Sequence, residues 1–126
     1  MPEKILLDTN FLMLPFQLKV DIFSELNRIC NFSFDLFILD KSVDELKSII
    51  EKKNGRQKDE AKLALALLEK NPIKIIRTNQ KGHTDDIIVG MEDFIVATRD
   101  LPLMSRLRKK GIKVITLRQK NHLIIL

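Results

Sequence analysis

Short apolar runs of strand length alternate along the chain with longer stretches whose apolar residues recur every three or four positions. The first run, residues 4–8, centres on Ile5, Leu6 and Leu7. It ends in Asp8, with the turn formers Thr9 and Asn10 behind it. Residues 18–30 place Ile22, Phe23, Leu26, Ile29 and Cys30 on one face, the spacing of an amphipathic helix. Residues 35–39 (DLFIL) read as a second strand. A helix opens near Ser42 with Val43, Leu46, Ile49 and Ile50 inward, and Asn54-Gly55 breaks it,. An Ala/Leu-rich helix over 58–70 is stopped by Asn71-Pro72, and a third strand follows at 73–76. Beyond a polar stretch around Gly82, the pattern predicts a helix over 85–92 and a strand over 94–98. A helix over 101–110, ended by Gly111 as a C′ residue, and a strand over 112–117 complete it,. The closing HLIIL fits an edge strand or a strap.

Strands alternating with helices build an α/β fold, with a mostly parallel sheet of about five strands and helices on both faces. The 126 residues, 44% of them apolar, suffice for one core. With no repeat or linker, we read one domain over 1–126. No apolar run reaches the roughly 18–20 residues that cross a bilayer. The opening Met1-Pro2-Glu3-Lys4 carries no signal-peptide pattern, so the expected location is cytoplasmic, with no membrane partner. A lone cysteine, Cys30, excludes an internal disulfide and a cysteine zinc cluster,. The net charge of +5 suits a polyanionic partner,. With no Trp or Tyr and the Phe residues read as core, an aromatic platform for stacked bases is not expected,.

Ligands of such sheets bind at the carboxyl ends of the strands, and that is where the acids fall. Asp8 closes the first strand. Asp40, Asp44 and Glu45 follow the second, Asp85 and Asp86 follow the third, and Asp100 follows the fourth. Carboxylates that converge on one cleft repel one another. A hard divalent cation relieves the repulsion, and all-oxygen ligation points to Mg²⁺ or Mn²⁺. Each acid also has a structural reading. Glu45, three residues after Ser42, completes a capping box; Asp85 or Asp86 suits a helix N-terminus; Asp100 before Leu101-Pro102 is a good N-cap. Asp8 is the hardest to explain this way, because the residue after it does not clearly begin a helix. Singly these readings suffice, but they do not explain an acid at every strand end.

Four stretches in order, LLDTNFL, SVDEL, TDDIIV and IVATRD, together with the closing LRKKGIKVITLRQK, resemble the PIN-domain nucleases over nearly the whole chain. The likeness is to the branch holding the small-subunit rRNA-processing endonuclease and its single-domain archaeal relatives. It implies a three-layer Rossmann-like PIN domain and a metal-dependent endoribonuclease. Asp8, Glu45, Asp86 and Asp100 match the family's acidic positions, as catalytic and metal-ligating residues. Asp86 is preferred to Asp85 because the family's acid directly precedes the apolar helical stretch. Thr98 matches a supporting hydroxyl and Asn10 the asparagine after the first aspartate. Where relatives often have DxDL after VAT, this chain has DLPL, so Pro102 stands where a fifth acid would be.

With no Ser/His/Asp set and no placed His pair, the nucleophile expected on this resemblance is water activated by Mg²⁺ or Mn²⁺, attacking a phosphodiester in line. His83 reads as a solvated loop residue and His122 as a surface residue. Arg99, Arg106, Arg108, Lys109 and Lys110, together with Lys52, Lys53, Arg56 and Lys58 around the turn at Asn54-Gly55, would grip the RNA backbone. The expected substrate is an rRNA precursor, with a homodimer or a ribosome-assembly partner to position it. Three other readings compete: a VapC-like toxin ribonuclease, a non-catalytic RNA-binding assembly module with the same fold, and a phosphoacceptor receiver domain. The last wants an acidic pair after the first strand, where this chain has Asp8-Thr9-Asn10.

Overall fold

Ile5 and Leu7 are buried in one hydrophobic cluster and Leu6 in another, on the opposite side of the central sheet. That alternation, repeated by Ile38 against Leu39 and by Ala97 against Val96, marks strands covered on both faces. The computed structural model describes residues 1–79 and 81–126. The strands are β1 (Glu3–Leu7), β2 (Phe34–Leu39), β3 (Ile73–Ile76), β4 (Ile95–Ala97), β5 (Val114–Arg118) and β6 (His122–Ile125). The helices are α1 (Thr9–Leu12), α2 (Leu14–Gln17), α3 (Ile22–Ile29), α4 (Asp40–Lys52), α5 (Arg56–Lys70), α6 (Thr84–Val89) and α7 (Leu101–Lys109).

The sheet order is β3-β2-β1-β4-β5-β6. The first five strands pair in parallel, and β6 returns antiparallel on β5, with Leu117 opposite Leu123. The sheet therefore has six strands among the described residues against about five expected, because HLIIL forms the edge strand. Residues on α1, α3, α4 and α5, including Phe11, Ile22, Leu26, Leu46 and Ala64, cover one face. Ile87 and Ile88 of α6 and Leu103 and Leu107 of α7 cover the other. The chain winds outward from β1 to β3, then crosses back to β4 on the other side of β1. The switch point between β1 and β4 is where an open α/β sheet leaves a crevice.

Three boundaries differ from the sequence reading, each for a local reason. Residues 9–17 form two short helical turns, where the reading began its helix at 18. Asp8 accepts the Thr9 N–H and starts α1, and Pro15 sits in the first turn of α2, where its missing N–H costs nothing,. The following helix is confined to Ile22–Ile29, because the Asp21 side chain caps the Ser24 N–H. Finally, α4 opens at Asp40 instead of Ser42.

That last shift removes the capping box. Ser42 lies inside the helix, fully buried with its hydroxyl unpaired among the described residues, and the N-cap is Leu39. Glu45 is thus free of a capping duty at Ser42. Two further offsets are α6, which stops at Val89 before Gly90, three residues short of the expected end, and β5, which starts at Val114, two residues late.

Candidate active site

Asp8 follows β1 at the switch point. Its N–H continues the ladder to the Ala97 carbonyl of β4 at 2.9 Å, so backbone pairing fixes where its side chain emerges. Asp8 is 7% exposed. Oδ1 accepts the Thr9 N–H at 2.8 Å and Oδ2 accepts the Thr98 hydroxyl at 2.8 Å. Asp8 therefore caps α1 as well as facing the site, a structural duty the sequence reading did not give it. Burial is the main cause that raises its pKa above the usual carboxylate range. The two hydrogen bonds pull it back, and the negative charges of Asp85 and Glu45 push it further up,.

Thr98, fully buried at the end of β4, accepts the Asp100 N–H at 3.1 Å while donating to Asp8. Asp100 caps α7 through Oδ1, which accepts the Leu103 N–H at 2.9 Å, with Pro102 in the first turn. Its other oxygen makes no hydrogen bond to described residues. Glu45 projects from the second turn of α4, and its Oε1 accepts the Thr84 hydroxyl at 2.8 Å.

Asp8, Asn10, Glu45, Asp85 and Asp100 line one cleft of about 480 Å³, together with Gly82, His83 and Thr84. Four elements deliver these acids to one place, as the strand-end pattern predicts.

Asp86, the acid preferred from the sequence, is not among the lining residues. Its Oδ1 holds Arg106 at 2.9 Å on the exposed side of α6 and α7. The one-residue offset follows from the cap. His83 is the N-cap of α6 and Thr84 its first residue, which turns Asp85 toward the cleft and Asp86 away. Thr84 lines the cleft although the sequence reading passed over it, and His83, read there as a solvated loop residue, lines it too. The only signal for them was their position directly before the two acids.

The basic candidates divide as well. Arg99 directly precedes the cleft residue Asp100 in the chain and is exposed, with Nη1 3.5 Å from Oε1 of Gln17. Arg106 is tied to Asp86, while Arg108 and Lys109 line a separate groove with Leu101, Met104, Ser105 and Leu126.

Asp40 is also accounted for, outside the cleft. Its carboxylate accepts the Thr78 N–H at 3.1 Å, the Thr78 hydroxyl at 2.9 Å and the Lys41 N–H at 2.8 Å. These bonds, the Thr78 N–H first, hold its pKa below the usual range. They anchor the start of the segment that leads to His83 and Asp85.

The acids that line the cleft offer negatively charged oxygen donors, with Asp8 buried beside two further acids. No three Asp, Glu, His or Cys side chains among the described residues converge closely enough to enclose an ion. This chemistry fits a hydrated Mg²⁺ or Mn²⁺, which keeps several waters and takes only one or two direct carboxylates, with the other acids acting through water.

The family model described as PIN like domain matches residues 5–120. Ribonuclease VapC4 of Methanocaldococcus jannaschii is 30% identical over 123 residues, covering 94% of this chain and 93% of that protein. The solved structure of the PIN domain endonuclease Utp24 has the same fold, with a TM-score of 0.81 at 24% identity over 98% of this chain and 91% of that one. A domain of a functionally unknown protein, also from Methanocaldococcus jannaschii, superposes with a TM-score of 0.60 at 15% identity over 92% and 91%.

Proposed function

The chain belongs to the PIN-like domain family, and from that premise we propose that residues 1–126 act as one metal-dependent endoribonuclease domain, hydrolysing RNA phosphodiesters with Mg²⁺ or Mn²⁺. The observation that carries this reading is the single cleft at the switch point lined by Asp8, Glu45, Asp85, Asp100 and Asn10.

Asp8, Glu45, Asp85 and Asp100 would hold the ion, directly or through its waters. When bound, it supplies Lewis acidity toward the attacking water and charge neutralisation at the phosphate. The chain's own groups do the rest. Thr9 and Thr98 fix both oxygens of Asp8, so that carboxylate needs no reorganisation during the reaction,. Thr84 fixes one oxygen of Glu45 and leaves the other for the cleft. Asn10, exposed at the mouth, offers amide donors to a phosphate oxygen,. Arg99 supplies positive charge at the rim.

The proposed substrate is an rRNA precursor, in the cytoplasm, with a second copy or a ribosome-assembly partner orienting the RNA; the resemblance of LLDTNFL, SVDEL, TDDIIV and IVATRD to the rRNA-processing branch supports this reading. No helix among the described residues is long and apolar enough to cross a membrane. The 30% identity to ribonuclease VapC4 favours a second reading, a VapC-like toxin ribonuclease. Incubation of labelled RNA with the purified protein tests the activity common to both. Internal cuts with Mn²⁺ and none in EDTA are expected; intact RNA under both conditions contradicts it. Cleavage confined to a precursor fragment, against growth arrest on expression, then separates the two readings.

A further inference from the structure

We propose that the RNA leaves the cleft over Arg99 and Gln17 and runs to the tip of the α4–α5 hairpin at Lys53 and Arg56, not along α7. This rests on the nuclease reading above and names the phosphate-binding surface that serves that site.

The topology places the tip. Since β2 and β3 are parallel, β3 must start at the amino edge of the sheet. Only Asn71 and Pro72 separate α5 from β3, so α5 runs toward the amino edge and ends there. Its first residue, Arg56, therefore lies at the opposite, carboxyl-edge end. The turn at Lys53, Asn54 and Gly55 stands on the same side of the sheet as the acid cleft.

Contacts agree with this placement. The Gln17 carbonyl lies 3.5 Å from Nη2 of Arg56, and Oε1 of Gln17 lies 3.5 Å from Nη1 of Arg99. One residue at the end of α2 is thus in reach of both guanidiniums, that of Arg99, the chain neighbour of the cleft residue Asp100, and that of Arg56 at the hairpin tip. These contacts are long and made to neutral oxygens. Among the described residues neither guanidinium is paired with a carboxylate, so each keeps its fork of donors for a phosphate. Residues 51–59 carry Lys52, Lys53, Arg56 and Lys58 against Glu51 and Asp59, a net positive tip.

The cations of α7 differ. Arg106 is engaged by Asp86 at 2.9 Å. Arg108 and Lys109 open on a groove lined in part by Leu101, Met104 and Leu126, which the cleft does not share.

The test is the salt dependence of kcat/KM for cleavage of a labelled single-stranded RNA in Mn²⁺, for wild type and two double variants. Each phosphate contact contributes about 0.7 to the slope of log affinity against log salt for a single strand. Lys53→Gln with Arg56→Gln should lower the slope by roughly 1.4, raising KM with kcat at saturating RNA unchanged. Arg108→Gln with Lys109→Gln should leave slope and KM as in the wild type, and Arg56→Lys should retain the slope. An undiminished slope in the hairpin variant, or a fall in the α7 variant instead, overturns the route while cleavage by the wild type upholds the nuclease reading. A wild type that cuts no RNA removes both.

Discussion

The Thr98 hydroxyl donates to Oδ2 of Asp8 at 2.8 Å, joining the carboxyl ends of β4 and β1 across the switch point. The same oxygen accepts the Asp100 N–H at 3.1 Å, so one buried hydroxyl orders two of the four cleft acids. Thr98→Val keeps the shape and removes both bonds. It leaves a buried carboxylate oxygen and a backbone N–H short of partners, at a cost of about 1–3 kcal/mol. Thr98→Ser keeps the hydroxyl and should hold most of the stability. Urea unfolding of the two variants, with cleavage measured on the same preparations, checks this. Equal stability of Thr98→Val and wild type would mean the hydroxyl is not needed.

Burial and the charges of Asp85 and Glu45 disfavour the ionised form of Asp8 in the fold. The folded state then binds its proton more tightly than the unfolded chain. In EDTA, this group's contribution to stability falls as pH rises from the ordinary carboxylate range through the raised folded value. Asp8→Asn should remove that fall and stabilise the metal-free protein above it. Mn²⁺ should stabilise wild type, since a ligand of the folded state shifts the equilibrium toward it, and Asp8→Asn should lose most of that gain. Thermal midpoints with EDTA and with Mn²⁺ decide it. A lower midpoint for Asp8→Asn in EDTA, with an undiminished Mn²⁺ gain, would make Asp8 purely the cap of α1.

Asp85 faces the cleft and Asp86 faces Arg106, so the two adjacent acids should differ in effect. Asp85→Asn should abolish RNA cleavage. Asp86→Asn should keep kcat/KM within about tenfold of wild type, a loss of no more than about 1.4 kcal/mol in transition-state stabilisation. The reverse ranking in a steady-state assay would return the site to Asp86.

Asp40 anchors Thr78 by two hydrogen bonds, at 3.1 and 2.9 Å, and does not line the acid cleft. Asp40→Ala should cost roughly 1–2 kcal/mol, the range for hydrogen bonds to a charged group that is half-exposed. Because these bonds lower the folded pKa, the stability they give is present above the ordinary carboxylate range. It is lost as pH falls through the folded value. Acid unfolding of Asp40→Ala should accordingly show a weaker pH dependence than wild type. An identical acid limb would show that the Thr78 anchor adds nothing.

Much of this arrangement is legible in the chain because both periodicities are clean. Ile5, Leu6 and Leu7 announce a strand buried on both faces, and the acid at each strand end announces one shared edge. What the sequence hides is rotation and reach. Neighbouring residues on a helix point about 100° apart, so choosing between Asp85 and Asp86 requires the cap, and His83 is not an obvious N-cap. No helix is expected over 9–17, because Thr9 and Asn10 are turn formers in isolation. The same residues are also good first-turn residues once Asp8 is fixed by the sheet. Ser42 with Glu45 matches a capping box in spacing, yet Leu39 lets α4 begin directly from β2, its N-cap three residues before the Ser42 that the motif requires. The meeting of Gln17 with Arg56 and Arg99 spans 39 and 82 residues of chain, and no local pattern encodes it.

The central claim is that the acids of the cleft hold a divalent cation together. Anomalous diffraction from crystals soaked in Mn²⁺ addresses it most directly. The account predicts a Mn²⁺ peak inside the cleft, ligated by Asp8 and at least one of Glu45, Asp85 and Asp100, with water completing the shell. A peak held by Asp86 without Asp8, or an empty cleft at a Mn²⁺ concentration that supports cleavage, would contradict it.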